Sequence, residues 1–365
     1  MDDLYIGLMS GTSLDGADGV LIDFSSPKPR VLASATQAFS SDFRAELLAL
    51  NSPSSNELHR AALAANQLAD VYAAVVASLL GQTKLTAKDI QAIGAHGQTV
   101  RHQPALGYTT QLNNPALLAE RTGIDVVADF RSRDVAAGGQ GAPLVPAFHQ
   151  SVFGQHDRTT LVLNIGGISN LSVLPANGSV VGFDCGPGNA LMDAWCLQHT
   201  GQRFDEGGQW AASGKLIPAL LESLLDEPYL AIPPPKSTGR DLFSMAWLAA
   251  KLAPFAAQRP VDVQNTLTEF TAKACVTGAG NYLNNSKELI VCGGGAFNHY
   301  LMQRLQAGLP SLKVVTSSAH GLPPLQVEAA AFAWLARQTV KRLPGNLPSV
   351  TGAAGLRVLG AIFPA

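Results

Sequence analysis

Residues 5–24, YIGLMSGTSLDGADGVLIDF, decide how the first part of this chain folds. The apolar run 5–9 is followed by a turn rich in glycine, serine and aspartate at 10–16, and then by a second apolar run at 19–24. Two apolar runs separated by such a turn are typical of a β-hairpin. The sequence therefore predicts that the chain opens with a strand, a glycine-rich turn and a second strand.

A second unit of this kind occurs roughly 155 residues later. There the apolar strand 161–164 leads into a glycine-containing turn at 165–170, and 171–174 forms the returning strand. A third glycine-rich turn, 293–295, ends the apolar strand 289–292. Glycine lets backbone N–H groups approach a ligand closely, so such turns can hold phosphate groups. One such turn is most often only a tight hairpin, but three of them over both halves of the chain favour nucleotide binding.

Two familiar nucleotide-binding motifs do not account for these turns. The sequence excludes a P-loop, because no segment matches G-x-x-x-x-G-K-[ST]. The segments 186–191 and 278–283 begin with the spacing of a dinucleotide fingerprint, but both end on leucine instead of a third small residue. An NAD site is therefore only weakly supported.

Further helices and strands are predicted between these turns. Helices are indicated where apolar residues recur at threes and fours, at 56–80, 115–121, 190–198, within 242–283 and at 327–342. Strands are indicated by short apolar runs at 90–95, 125–130 and 180–183. The glycine-rich segment 131–145, RSRDVAAGGQGAPLV, is expected to form an inter-domain or active-site loop.

Composition excludes several classes of protein. The chain has 365 residues, which predicts about two domains, and its 25 basic and 27 acidic residues leave a net charge of −2. This balance offers no broad attraction for nucleic acid. The four cysteines form no C-x-x-C pair and no zinc spacing, so a reducing compartment is expected. The N-terminus has acidic residues where a signal peptide needs basic ones, and the apolar run 70–80 is far short of the ~20 residues of a membrane span. We therefore predict a cytoplasmic protein.

Seven blocks of the sequence resemble, in order, the signature blocks of the anhydro-N-acetylmuramic acid kinase family. They are MSGTSLDGADGVLIDF (9–24), AHGQTVRH (95–102), DVVADFRSRDVAAGGQGAPLVP (125–146), NIGGISN (164–170), FDCGPGN (183–189), PPKSTGRD (234–241) and CGGGAFN (292–298). A short block such as NIGG would be common by accident, but the long block at 125–146 would not. The resemblance extends over most of the chain.

This resemblance implies an α/β fold of two domains, the actin-like ATPase (ribonuclease H-like) fold, with an ATP and substrate cleft between the domains. The N-terminal actin-like lobe is predicted at 1–131, with the tail 343–365 as a candidate addition to it. The C-terminal actin-like lobe is predicted at 132–342.

The resemblance also implies which residues bind the cofactor, Mg-ATP. The first phosphate-binding turn would comprise Gly11, Thr12, Ser13, Leu14, Asp15, Gly16, Ala17 and Asp18. Gly166 and Gly167 would belong to the second turn, and Gly293, Gly294 and Gly295 would contact the nucleoside. Asp15 and Asp18 would repel phosphates unless a divalent cation lies between, which favours Mg²⁺. Asp15 could equally bond its own backbone in the turn, so no direct metal ligand is assigned.

Members of the family are phosphotransferases with an alcohol group as acceptor, and they act on 1,6-anhydro-N-acetylmuramic acid. Water opens the internal ether bridge at the anomeric carbon, and the freed O6 receives the γ-phosphoryl group. The product, N-acetylmuramic acid 6-phosphate, belongs to peptidoglycan recycling. A base must deprotonate the water, and Asp184, at the end of a strand beside a glycine-rich turn, is the candidate. A helix N-terminal acid or a magnesium ligand are the competing interpretations of Asp184.

Several other polar residues are candidates for the substrate site. The lactyl carboxylate of the sugar needs a cation, and Arg131 and Arg133 are the candidates; only one of them would face the ligand if the loop is extended. Surface pairing with Asp129 or Asp134 is the alternative. Further substrate contacts are expected from Gln98, His96 and Glu328, although His96 could simply be a hydrogen-bonded histidine at a strand end. The basic turn 236–240 would either reach the ATP phosphates or form a rigid loop at a subunit contact.

Two other functions remain open. The chain could be another sugar or polyol kinase of the same fold, or a non-catalytic actin-like nucleotide-binding protein such as a filament former. The expected partner is the small-molecule substrate; nucleic acid and membranes are not expected as partners, and a homodimer stays an open assembly.

Overall fold

The computed structural model describes residues 3–11, 14–239 and 242–365, and the chain forms two compact units. Unit 1 comprises 1–152 and 326–365, and unit 2 comprises 153–325. These boundaries differ from the predicted division at 131 and 342. The reason is that the helix Val327–Val340 packs on the first sheet, so the return to unit 1 occurs before this helix rather than after it.

Thirteen strands are present in the described residues. In chain order they are β1 Leu4–Met9, β2 Gly16–Asp23, β3 Arg30–Ala38, β4 Ala92–Ala95, β5 Gln98–Gln103, β6 Tyr108–Leu112, β7 Val126–Ala128, β8 Thr159–Ile165, β9 Ile168–Leu174, β10 Val181–Pro187, β11 Ser286–Cys292, β12 Lys313–Thr316 and β13 Ala361–Phe363. Both predicted hairpins are confirmed, the first by β1 and β2 and the second by β8 and β9.

Fourteen α-helices connect or cover these strands in the described part of the chain. They are α1 Ser41–Ala49, α2 Glu57–Thr83, α3 Pro115–Thr122, α4 Ser132–Ala136, α5 Val145–Phe153, α6 Ala190–Thr200, α7 Gln209–Ala212, α8 Pro218–Leu225, α9 Pro228–Ala231, α10 Met245–Leu252, α11 Pro260–Ala279, α12 His299–Gly308, α13 Val327–Val340 and α14 Pro348–Thr351. Short 3₁₀ turns occupy several of the remaining connections.

Unit 1 is built on a six-stranded mixed sheet of order β13-β7-β4-β1-β2-β3. β1 pairs antiparallel with β2 and parallel with β4, and β4 pairs parallel with β7. Because β1, β4 and β7 run in the same direction, their carboxyl ends meet at one edge of the sheet. The turn after β1, His96 after β4 and Arg131 after β7 therefore lie at that edge.

Helix α13 lies unusually close to this sheet because two strand positions are glycine. A Cβ atom on Gly7 of β1 would collide with the backbone of Ala329, and one on Gly94 of β4 would collide with the backbone of Phe332. The alanine-rich sequence of α13 supplies equally small side chains. The two glycines thus determine how closely α13, which carries Glu328 in its first turn, packs on the sheet.

Helix α2 passes a length and composition test for a membrane span, and its side chains are used in packing. It is 27 residues long, and 44% of its most apolar stretch is buried. Leu68, Tyr72 and Leu79 are fully buried in the hydrophobic core of unit 1. The apolar composition of α2 is accounted for by this core.

Unit 2 is built on a five-stranded mixed sheet of order β10-β9-β8-β11-β12. Its pairings place four residues in one row across the sheet: Asp184 opposite Asn170, Asn170 opposite Asn164, and Asn164 opposite Cys292. The glycine turns that follow β8 and β11 start immediately beyond this row. Asp184 therefore stands at the same edge as both turns.

Candidate active site

The segment 11–18, which the sequence predicts as a phosphate-binding turn, is part turn and part strand in the structure. Gly16, Ala17 and Asp18 belong to β2, where they pair with β3, while Gly11 and Leu14 form the turn through a bond from the Leu14 N–H to the Gly11 carbonyl, 3.2 Å. Leu14 has a positive φ of 58°. The candidates Thr12 and Ser13 lie outside the described residues.

The two aspartates of this segment have different surroundings. Asp15 is exposed, and its carboxylate lies 3.4 Å from a guanidinium nitrogen of Arg44. Asp18 accepts a bond of 2.6 Å from the Thr36 hydroxyl. Asp18 is also exposed to solvent overall, but partial shielding of its carboxyl from water raises its pKa; the Thr36 bond opposes this and the charge of Asp15 adds to it.

Arg131 is fixed by three hydrogen bonds at the carboxyl edge of the first sheet. Its Nε and Nη2 groups donate to His96 Nε2 at 3.2 and 3.0 Å, and its Nη1 donates to the Gly141 carbonyl at 2.8 Å. Burial lowers the pKa of His96 to about 3, and the charge of Arg131 adds to the effect. His96 is therefore neutral, with its proton on Nδ1 and Nε2 as acceptor. Of the five guanidinium N–H groups, these bonds use three, and two remain for a ligand as far as the described residues show.

Acidic side chains surround this arginine. Burial lowers the pKa of Arg131 to about 10, and Glu328 and Asp134 oppose the shift. Burial raises the pKa of Glu328, Asp18 adds to this and Arg131 opposes it. The guanidinium thus stays charged at neutral pH and is electrostatically coupled to Glu328.

The structure separates the two candidate arginines. Arg133 lies on α4 and is exposed, whereas Arg131 is partly buried between His96 and Gly141. Among the described residues, neither arginine donates a hydrogen bond to Asp134, whose carboxylate accepts from Gly141, Asn346 and Thr351.

Asp134 is a fully buried acceptor that ties the loop 131–141 to the C-terminal segment. Its Oδ2 accepts from the Gly141 N–H at 2.8 Å, and its Oδ1 accepts from Asn346 Nδ2 at 2.7 Å and from the Thr351 hydroxyl at 2.8 Å. The Gln140 N–H donates to the Thr351 carbonyl at 2.7 Å. The loop that positions Arg131 is therefore held by the chain more than two hundred residues later.

Gln98 is almost completely buried, at 1% exposure, and its Oε1 atom has no hydrogen-bond partner among the described residues. The same is true of Gln111 Oε1, Asn113 Oδ1 and the Nδ1 atom of His96. Buried polar atoms without partners are rare and are explained by water or a ligand. Gln111 and Asn113 were not predicted, because nothing in the sequence distinguishes them from ordinary strand residues.

In unit 2 the second and third glycine turns pack against each other at the row defined by Asp184. The N–H groups of Gly188 and Asn189 donate to the carbonyls of Gly167 and Gly166, at 2.9 and 2.8 Å. A Cβ atom on Gly188 would collide with the Gly166 carbonyl, and one on Gly295 would collide with the Ile165 side chain. These glycines therefore permit close approach of three backbone segments.

Asp184 sits at a bulge in β10 and is surrounded by donors from one turn. Its Oδ2 accepts from the Ser237 hydroxyl and from the Thr238 N–H, both at 2.9 Å. Its carbonyl accepts from the Tyr229 hydroxyl at 2.9 Å. Burial raises the pKa of Asp184, while Thr238, Ser237 and the charge of Lys236 oppose the rise.

The basic turn 236–240 is therefore a neighbour of Asp184. Lys236 donates from Nζ to the Tyr229 and Leu230 carbonyls, at 3.3 and 3.1 Å, and lies 4.7 Å from the centre of the Tyr229 ring. Arg240 lies outside the described residues. The contact between the KST segment, 236–238, and the Asp184 carboxylate could not be predicted, because no spacing rule relates residues that lie more than fifty positions apart.

The described residues contain no group of three or more histidine, cysteine, aspartate or glutamate side chains that could hold a metal ion. All four cysteines are buried. The candidate site in unit 1 consists of the groups around Arg131, and that in unit 2 consists of the groups around Asp184.

Comparison with known proteins identifies the family of this chain. The family model described as anhydro-N-acetylmuramic acid kinase matches residues 3–365. The chain belongs to the anhydro-N-acetylmuramic acid kinase family. Among its relatives of that name, the protein of Albidiferax ferrireducens is 64% identical, with 100% of both chains covered, and that of Variovorax paradoxus is 63% identical, with 100% of this chain and 99% of the relative covered.

The fold of this family member also has a more distant structural relative. The activator of the 2-hydroxyisocaproyl-CoA dehydratase from Clostridium difficile, solved with bound ADPNP, matches with a TM-score of 0.50 and 12% identity, covering 93% of this chain and 96% of that one. At this identity the match concerns the fold alone. The predicted actin-like α/β fold is confirmed.

Proposed function

We propose that this protein is an ATP-dependent kinase that hydrolytically opens 1,6-anhydro-N-acetylmuramic acid and phosphorylates O6. One proton of water moves to a base, and the water oxygen forms a bond to the anomeric carbon as the bond from that carbon to O6 breaks. The freed O6 takes the γ-phosphoryl group of ATP, and ADP leaves. The products are N-acetylmuramic acid 6-phosphate and ADP, which fits a place in peptidoglycan recycling.

The observation that supports this function best is the environment of Asp184. The carboxylate stands beside two packed glycine turns, is held by two donors on one oxygen, and has a pKa raised by burial. A general base works best when its pKa is raised towards the working pH while it stays ionised there. These properties favour the base over a simple helix N-terminal acid.

For the lactyl carboxylate of the sugar, the surroundings favour Arg131 over Arg133. Arg131 is preorganised by neutral His96 and by the Gly141 carbonyl, and it keeps two N–H groups for a ligand. A fork of two N–H groups matches the two oxygens of a carboxylate. Gln98 and Glu328 belong to the same unit and are proposed as further sugar contacts, and the unpartnered oxygen of Gln98 is consistent with a polar ligand.

ATP and Mg²⁺ are proposed as the nucleotide substrate and its cation. A Cβ atom on Gly293 or Gly295 would collide with Ile165, so these glycines let the third turn pack closely on the second, and a Cβ atom on Gly166 would meet only the Ile168 carbonyl, at 3.7 Å. Mg²⁺ is ordinarily held by one or two carboxylates together with phosphates and water, and Asp15 and Asp18 are the two carboxylates of the first turn that would be available to it. When bound, the cation would neutralise charge on the phosphates. A cytoplasmic location and a homodimer stay predictions.

Product labelling in water enriched in oxygen-18 tests the reaction. With the anhydro-sugar and ATP, early product read before exchange intrudes should carry the heavy oxygen at C1, and the phosphate ester oxygen should stay unlabelled. Label in the ester, or no product from the anhydro-sugar, would contradict the proposed function. Glucose serves as the comparison substrate, since its efficient phosphorylation would favour an ordinary sugar kinase.

A further inference from the structure

One oxygen of the Asp184 carboxylate accepts its hydrogen bonds from the basic turn 236–240. The sequence predicts that this turn reaches the ATP phosphates or forms a loop at a subunit contact. Oδ2 accepts from the Ser237 hydroxyl and the Thr238 N–H, each at 2.9 Å, and the Asp184 N–H donates to the Lys236 carbonyl at 3.1 Å. Residues 236–238 thus lie beside β10 and curl around the carboxylate. The other oxygen, Oδ1, accepts no hydrogen bond from the residues that the structure describes.

We propose that Ser237 is a positioning residue for Asp184: together with the Thr238 N–H it occupies Oδ2, so that Oδ1 is the oxygen that takes the proton from water. This inference rests on the proposed function and adds to it which oxygen reacts and what aims it. Two bonds to one oxygen fix both the side-chain rotamer and the plane of the carboxylate. A carboxylate aimed in this way loses little entropy when it meets the attacking water.

The segment that supplies these bonds is itself braced. The Tyr229 hydroxyl donates to the Asp184 carbonyl at 2.9 Å, and the Lys236 ammonium is bound to the carbonyls of Tyr229 and Leu230. Lys236 is therefore near enough to stabilise the ionised carboxylate but is tied to backbone oxygens. This leaves the hydroxyl of Ser237, which is exposed, as the side-chain donor that can be removed without touching the core.

The electrostatics of the site give Ser237 a measurable effect. The titratable groups that face Asp184 are Lys236 from the turn, Tyr229 from α9 and Cys185 next to it on β10. Burial raises the pKa of Tyr229, and the contact with the Cys275 thiol together with burial raises the pKa of Cys185, so both stay protonated at neutral pH. Lys236 is therefore the charged neighbour among the described residues. The Ser237 bond favours the ionised form of Asp184, which lowers its pKa.

The test is the pH profile of Ser237→Ala in the full-length enzyme. Loss of a bond to a charged group should lower kcat about tenfold, with a smaller change in the KM for ATP. The acid limb of the kcat/KM profile should move to higher pH by about one unit, since the base must be ionised and its pKa rises. Ser237→Thr keeps the hydroxyl and should restore most of both values.

Ser213→Ala is the matched control, because Ser213 is also exposed, lies in the same unit and donates from its hydroxyl to the Trp210 carbonyl at 2.7 Å. It should leave the profile unchanged. If Ser237→Ala lowers the melting temperature, Ser237→Cys, of similar size but with a weak donor, should still move the acid limb upward. A Ser237→Ala profile that coincides with that of Ser213→Ala would overturn the positioning role.

The variant Asp184→Asn separates this inference from the proposed function. Its turnover should fall by ~10²–10⁴, the ordinary contribution of general acid–base catalysis. If Asp184→Asn is inactive and Ser237→Ala is normal, only the positioning role fails. If Asp184→Asn keeps near-normal turnover, Asp184 is not the base, and its assignment fails together with the positioning role of Ser237, while the kinase reaction itself is judged by the labelling experiment.

Discussion

Replacement of Arg131 by alanine should selectively weaken binding of the lactyl group. The structure leaves two of its N–H groups for a ligand after the bonds to His96 and Gly141, so a fork to a carboxylate is expected. A hydrogen bond to a charged group contributes about 1.5–3 kcal/mol. The KM for the anhydro-sugar should therefore rise by roughly 10- to 150-fold, since ~1.4 kcal/mol is a factor of ten.

The assay compares two sugars and two variants. N-acetyl-1,6-anhydroglucosamine lacks the lactyl group, so Arg131→Ala should hardly change its already poor handling. Arg133→Ala is the matched control, because Arg133 is exposed on the neighbouring helix α4 and should leave both sugars nearly unaffected. Arg131→Lys keeps the charge but not the fork and should fall between wild type and Arg131→Ala.

Equal losses on both sugars would refute this reasoning. Arg131 would then act by holding the loop at Gly141, and the melting temperature of the variant would fall in parallel. A larger loss from Arg133→Ala than from Arg131→Ala would mean that Arg133, and not Arg131, binds the lactyl carboxylate. Neither outcome affects the assignment of the chain to its family.

Two further predictions concern stability. Gly188→Ala places a Cβ against the Gly166 carbonyl, so unfolding should be easier by about 1–3 kcal/mol and ATP binding weaker, whereas Gly280→Ala, whose Cβ would meet nothing within 4 Å, should be nearly neutral in both calorimetry and nucleotide titration. His96 has a pKa of about 3 in the folded protein against 6.5 for the free side chain, so its contribution to stability is present above pH 6.5 and is lost as pH falls towards 3. The unfolding free energy of His96→Asn should therefore fall less steeply with decreasing pH, by up to ~1.4 kcal/mol per pH unit, as measured by denaturant titrations. Exposed His59→Asn is the control. A slope for His96→Asn equal to that of His59→Asn would contradict the prediction.

The strongly patterned parts of the fold could be predicted from the sequence. The hairpins β1–β2 and β8–β9 follow from apolar runs around glycine-rich turns, and the long helix at 57–83 follows from apolar residues at threes and fours. Strand β3, Arg30–Ala38, was not predicted, because RVLASATQA is exposed at several positions and has few bulky apolar residues. Its pairing also explains why β2 begins at Gly16, three residues earlier than expected.

The hairpin β5–β6 was missed for a related reason. Its strands, QTVRHQ and YTTQL, are mostly polar and form a separate two-stranded sheet. A polar strand has no period-two hydrophobic signal, so only tertiary pairing identifies it. This hairpin contains Gln98 and Gln111, two amides whose Oε1 atoms are buried without a partner among the described residues.

The candidate site was predictable residue by residue but not as a set of contacts. In the sequence Asp184 and Arg131 directly follow the apolar runs 180–183 and 125–130, where side chains of functional sites are commonly found, although the structure places Asp184 at a bulge within β10. The partners that orient them come from distant positions: Ser237 is 53 residues from Asp184, and His96 is 35 residues from Arg131. Such pairings depend on the folded chain path, and no local spacing rule encodes them.

The attachment of Asp134 to Asn346 and Thr351 has a consequence for the order of events during synthesis. These partners are separated from Asp134 by 212 and 217 residues, so the ribosome makes all of unit 2 before the loop at 131–141 can be fastened. At ~5–20 residues per second, that loop waits on the order of ten seconds or more in the nascent chain. Until then the loop that carries Arg131 lacks these bonds, and a nascent chain should acquire the proposed sugar binding only after residues near 351 have left the exit tunnel.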